Sequence, residues 1–165
     1  MTINNEQFYE FAVGFVLRHE GDYSDDVEDP GGETKFGISK VHNPDIDVAN
    51  LTRKQAIEIY RERYWLRYRC NELHPVWAFA VFEGVVNQSP AAIIRALQET
   101  VGATVDGIIG PQTVGRANAS RSEWHLQMFY ARRLRRYMVQ RHFPRFGNGW
   151  MARVLDSYAH AAQLM

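Results

Sequence analysis

One cysteine, Cys70, is all that 165 residues contain, so no disulfide can form within the chain. A small scaffold held together by disulfides is thereby excluded, and stability has to come from packing. Long apolar runs are also missing. No stretch approaches the ~20 residues that a membrane span requires. The opening MTINNEQFYEFAVGF lacks the basic start, long apolar segment and small-residue cleavage site of a signal peptide, so synthesis in the cytoplasm is expected. An excess of one charge is absent as well, since 19 basic residues balance 19 acidic ones. A hydrophobic share of 45% with 23% charged residues excludes a disordered chain. There is no tandem repeat, low-complexity tract or flexible linker.

The balanced charge is unevenly distributed. From Glu20 to Glu33 every charge is acidic: Glu20, Asp22, Asp25, Asp26, Glu28, Asp29 and Glu33. Between Arg116 and Arg153 the chain is mostly basic, with Arg132, Arg133, Arg135, Arg136, Arg141 and Arg145. Such a run is either a solvated helix face or a surface drawn to an anionic partner.

Hydrophobic spacing predicts a mainly α domain. Phe8, Phe11, Ala12, Phe15 and Val16 form one stripe over residues 5–20, with Asn4 or Asn5 as cap and Gly21 where the helix would stop. Residues 21–50 carry Gly21, Pro30, Gly31, Gly32, Gly37 and Pro44 without helical period, which predicts a folded loop with a short β-hairpin around Thr34–Ser39. Thr52 and Gln55 have capping-box spacing before a helix over 53–69. Pro75 opens a helix over 75–88 that is almost wholly apolar through Val86, and a helix apolar all round is a buried one. Further helices are expected at 90–101, after Pro111 and over 122–141. The segment from Phe143 to Gly149 is expected to break the chain before a last helix at 150–163.

Glu20 stands at a helix C-terminus beside the acidic loop. Burial, nearby carboxylates and the negative helix end all favour a protonated carboxyl, as acid catalysis of glycosidic cleavage needs. A second carboxylate then activates water or supports the oxocarbenium-like transition state. Asp29 is the first choice, because Pro30-Gly31-Gly32 makes a tight turn that can aim it. Thr34 can hold a water through its hydroxyl. Asp25, Asp26, Glu28 and Glu33 remain competitors on spacing alone. The structural alternatives are plain: a helix-end Glu at the surface, an Asp that forms a turn, and a structural Thr. An EF-hand spacing is absent, and no His or Cys pattern suggests a metal site.

Phe15-Val16-Leu17-Arg18-His19-Glu20-Gly21-Asp22-Tyr23, followed by Asp29-Pro30-Gly31-Gly32-Glu33-Thr34-Lys35-Phe36-Gly37-Ile38-Ser39, closely resembles the N-terminus of glycoside hydrolase family 108. The family comprises phage and bacterial N-acetylmuramidases, among them endolysins and secretion-associated enzymes. Its hallmark is Glu-Gly-Gly-Tyr and then Asp-Pro-Gly-Gly-x-Thr-x-x-Gly-Ile; Asp22 replaces the second glycine here. Later segments, Val105-Asp106-Gly107-Ile108-Ile109-Gly110-Pro111-Gln112-Thr113 and Phe146-Gly147-Asn148-Gly149-Trp150, resemble the family's C-terminal peptidoglycan-binding region.

The resemblance implies a lysozyme-like helical domain with a small β element after the first helix. A catalytic region over 1–88 would carry a peptidoglycan-binding-like region over 89–165, packed as one unit. The implied reaction is hydrolysis of the β-1,4 bond between N-acetylmuramic acid and N-acetylglucosamine, with Glu20 as acid and Asp29 and Thr34 positioning water. Tyr23, Phe36, Tyr64, Trp65 and Asn87 are candidate substrate contacts. No cofactor or metal, no nucleic-acid partner and a monomeric state are expected, with peptidoglycan strands as the partner. Without a leader, such an enzyme would reach the periplasm or wall through a holin or an export system. A non-catalytic wall binder and a lytic transglycosylase are the alternatives.

Overall fold

Helix α1 covers Asn5–Glu20, the span its apolar stripe predicts. Phe8, Ala12, Phe15 and Val16 are buried, whereas Phe11 stays exposed. The structure, a computed structural model, describes residues 5–20, 23–24 and 33–165, with backbone alone at Tyr23 and Ser24. Asn4, Gly21 and Asp29 lie outside the described residues.

Three two-residue strands follow: β1 (Tyr23–Ser24), β2 (Thr34–Lys35) and β3 (Ile38–Ser39). They form one antiparallel sheet in the order β1-β2-β3, with Tyr23 opposite Lys35 and Thr34 opposite Ser39. The expected hairpin at 34–39 is therefore present.

Helix α2 (Arg53–Tyr60) starts at the predicted capping box. Thr52 Oγ1 accepts from the Gln55 amide at 3.3 Å, and the Gln55 side chain accepts from the Thr52 amide at 2.8 Å. The helix continues as a π-helical turn, Arg61–Leu66, instead of running evenly to residue 69. Such a wide turn rotates the side chains that follow it. Trp65 consequently comes to lie against Phe8 and Tyr9, with ring centroids 6.0 and 5.3 Å away.

The chain divides into two compact units, Met1–Trp65 and Leu66–Met165. This division falls earlier than residue 88, where the motifs separate the two expected roles.

In the second unit α3 (Pro75–Asn87) is buried without interruption from Val76 to Val85, as a mostly apolar helix should be, with Glu83 as the one charged residue in the run. Around it stand α4 (Pro90–Val101), α5 (Pro111–Ala119), α6 (Glu123–Met138) and α7 (Phe143–Ala162). Helix α3 packs on α4 and α7, α4 on α5 and α6, and α6 on α7. Four of the six prolines sit in the first turns of α3, α4, α5 and α7, where a missing N–H costs nothing. Among the described residues no helix is long and apolar enough to cross a membrane.

Two expectations are corrected here. The last helix begins at Phe143, not at 150, so Gly147, Asn148 and Gly149 are helical. Gly147 serves close packing: a Cβ there would come 2.7 Å from the Phe143 ring. The basic run is also not one solvated face. Arg133 is fully buried, its Nη1 2.7 Å from Glu83 Oε2. Arg153 donates to Glu83 Oε1 at 3.0 Å, and Arg133 Nε donates to Gln88 Oε1 at 2.8 Å. Burial pushes the Glu83 carboxyl up, but the guanidiniums of Arg133 and Arg153 outweigh it and hold Glu83 below the ordinary carboxylate range.

The motif loop before α5 is organised by one buried amide, Gln98. Its nitrogen donates to Asp106 Oδ1 at 2.7 Å and to the Ile108 carbonyl at 2.9 Å, while its oxygen accepts from the Gly107 amide at 2.9 Å. A buried amide needs such partners, and here it fixes the loop conformation by finding them.

Candidate active site

The β2–β3 hairpin turns through two residues, Phe36 and Gly37, both left-handed at φ 53° and 75°. Two-residue turns with both residues at positive φ match the natural twist of the strands. Gly37 is required for a second reason. A Cβ at this position would lie 2.6 Å from the Tyr60 hydroxyl and 2.7 Å from both Cγ and Oε2 of Glu20. Only a missing side chain lets the tip of the hairpin reach these two groups.

Each neighbour is delivered by the end of a helix. Glu20 is the last residue of α1, and Tyr60 is the last of α2 before the π-helical turn. Tyr60 is 1% exposed, and its hydroxyl donates to the Phe36 carbonyl at 2.9 Å. A buried phenol needs a partner, and this one pins the hairpin to α2. Glu20 is half-buried, which leaves its carboxyl both held and reachable. Lys35 donates from Nζ to the Ala49 carbonyl at 3.0 Å, tying the opposite side of the hairpin to the loop before α2. Two ion pairs fix the same framework: Arg61 with Glu6, and Arg63 with Asp45 at 2.5 Å.

The expected site residues divide accordingly. Glu20, Thr34 and Phe36 are assembled around this hairpin, with Thr34 half-buried in β2. Tyr64, half-buried, stands beside Tyr60 with ring centroids 5.6 Å apart. Tyr23 contributes its backbone to β1. Trp65 is 4% exposed among Phe8 and Tyr9, a core position that leaves little face for a ligand. Asn87 belongs to the second unit, where it donates to Glu83 Oε1 at 3.3 Å. Tyr60 and Gly37 were not among the expected site residues, although Gly37 belongs to the motif. Their signal was a tyrosine on the buried side of α2 and a glycine between two short strands.

Residues 13–88 match the Glycosyl hydrolase 108 family. The match spans Glu20, the hairpin, Tyr60 and Tyr64, and it supports glycosidase chemistry for that segment. It ends at Gln88, so the region beyond is not covered by it. The chain is also similar to the solved structure of Brucella abortus SagA, at 28% identity over 96% of each chain with a TM-score of 0.85. No curated protein matches.

The Tyr60 hydroxyl holds the Phe36 carbonyl and with it the turn beside Glu20. Tyr60→Phe is expected to cost about 1 kcal/mol of stability, the worth of one hydrogen bond, and to lower turnover several-fold. Thermal unfolding and initial rates on the same preparation check both effects.

Proposed function

We propose that the protein is a peptidoglycan hydrolase of the lysozyme type, an N-acetylmuramidase. It cleaves the β-1,4 bond between N-acetylmuramic acid and N-acetylglucosamine. The observation that carries this reading is a half-buried carboxyl, Glu20, set at the tip of a tight hairpin inside a segment that matches a glycosidase family. Glu20 protonates the leaving glycosidic oxygen. Asp29, assisted by the Thr34 hydroxyl on the same hairpin, positions and activates the attacking water. Tyr23, Phe36 and Tyr64 contact the sugars.

Residues 1–88 carry catalysis and residues 89–165 carry wall binding. The enzyme works as a monomer in the wall, which it reaches through a holin or an export system. The exposed arginines Arg135, Arg136, Arg141 and Arg145 add long-range attraction to an anionic wall. Digestion should therefore slow steeply as salt is added, because screening shortens the reach of exposed charges. A rate insensitive to salt would remove the electrostatic part of the proposal.

The test of the reaction itself is digestion of purified sacculi, with mass spectrometry of the fragments. Reducing N-acetylmuramic acid ends are expected. Anhydro ends would move the reaction to a lytic transglycosylase. Sacculus binding without fragments would leave a non-catalytic wall binder.

A further inference from the structure

Helices α4 and α6 leave a groove of about 640 Å³ between them, within the size range of small-ligand sites. Its apolar lining is made of small or slender side chains, including Ala92, Ala96, Met128 and Ala131. Its charged lining is one-sided: Arg95 from α4 and Arg132, Arg135 and Arg136 from α6 face the single carboxylate of Glu99. Arg132 is already engaged, donating to Glu99 at 3.0 Å and to the Met128 carbonyl at 3.2 Å. The guanidiniums of Arg95, Arg135 and Arg136 meet no carboxylate among the described residues. Three uncompensated cations around one concavity repel each other, and the low-dielectric walls concentrate their field. An anionic occupant relieves that repulsion, and guanidinium forks suit planar carboxylates in particular.

We propose that this groove binds the stem peptide of peptidoglycan, in which alanine alternates with residues that bear free carboxylates. The arginines take the carboxylates, and the alanine-lined wall admits a backbone with small side chains. The inference rests on the peptidoglycan reading above and names the part of the polymer that the second unit holds. The groove would keep the enzyme on peptide-bearing strands, separately from the sugar contacts around Glu20.

The experiment is an NMR titration of the isotope-labelled full chain with the free stem tetrapeptide, alanine–γ-glutamate–diaminopimelate–alanine. The same peptide with its carboxyls amidated serves as a second probe. Saturable shifts confined to α4 and α6 are expected. Affinity should fall about tenfold or more with amidation, and by a similar factor in the double variant Arg95→Gln/Arg135→Gln. Both arginines are exposed, and thermal unfolding verifies that the variant is folded. Glu99→Gln should act in the opposite direction and tighten binding a few-fold, because it removes the one competing carboxylate and frees Arg132. The absence of saturable shifts, equal affinity for the amidated peptide, or unchanged affinity in the double variant would each overturn the proposal.

Sacculus digestion by the wild type, run in parallel, separates the two readings. Fragments without peptide binding overturn the groove alone. Peptide binding without fragments supports the groove and overturns the hydrolase.

Discussion

Gly37→Ala is expected to lower glycosidase turnover by roughly 100-fold while leaving the helices folded. Two penalties act together. Alanine at φ 75° pays about 1–2 kcal/mol for a left-handed backbone. Its methyl would also stand 2.6 Å from the Tyr60 hydroxyl and 2.7 Å from Glu20 Cγ and Oε2. Tyr60 is a rigid, buried ring hydrogen-bonded to the Phe36 carbonyl, so it yields little. Glu20 has the freer side chain and must swing away. Displacing a catalytic group by about 1 Å can cost 10²-fold. Initial rates together with circular dichroism check the prediction: a folded and almost inactive variant is the expected result. A folded variant with full activity would separate the hairpin tip from catalysis.

Glu83→Gln is expected to be the most destabilising single change in the second unit. Glu83 and Arg133 are both fully buried, and Arg153 donates to the same carboxylate. Removing the charge strands two guanidiniums, and breaking a buried pair from one side costs about 3–5 kcal/mol. For a chain of this size that corresponds to a fall in Tm of roughly 6–20 °C.

The pH dependence carries a definite sign. The folded Glu83 sits below its ordinary value, so the unfolded chain binds the proton more readily. The contribution of Glu83 is then fully present above the ordinary carboxylate value of about 4.3, and it is lost as pH falls through the lower folded value. Glu83→Gln should flatten that part of the acid limb. Replacing Glu83 and Arg133 together by apolar residues should recover much of the loss, since a buried ion pair contributes little net stability. Thermal unfolding of both variants across pH measures each expectation.

Much of the fold was legible because its signals are local. The stripe from Phe8 to Val16 marked α1, Thr52 and Gln55 marked the start of α2, and prolines marked the openings of three helices. The hairpin at 34–39 was readable from its glycine and its position in a loop. What escaped depends on partners distant in sequence. Arg133 looked like part of a basic face because its partner, Glu83, lies 50 residues earlier on another helix. Trp65 looked like a sugar contact because a π-helical turn, which rotates it toward Phe8 and Tyr9, has no simple spacing rule. The Phe143–Gly149 segment looked like a break because Pro and Gly usually punctuate, yet Pro144 opens α7 and Gly147 fits against Phe143.

The candidate site was legible only in part. Glu20 stood between a helix end and an acidic loop, a place that left it one possibility among several until the resemblance singled it out. Its convergence with Gly37 and Tyr60 joins three elements and belongs to tertiary structure.

The role proposed for Glu20 is that of the acid which this hairpin holds for glycosidic cleavage. It is tested most directly by digesting purified sacculi with wild type and Glu20→Gln, and quantifying released reducing ends by mass spectrometry. Loss of a positioned general acid removes roughly 10²–10⁴-fold in rate, so N-acetylmuramic acid ends are expected from wild type and almost none from folded Glu20→Gln. Equal release by the two proteins would contradict the assignment of Glu20.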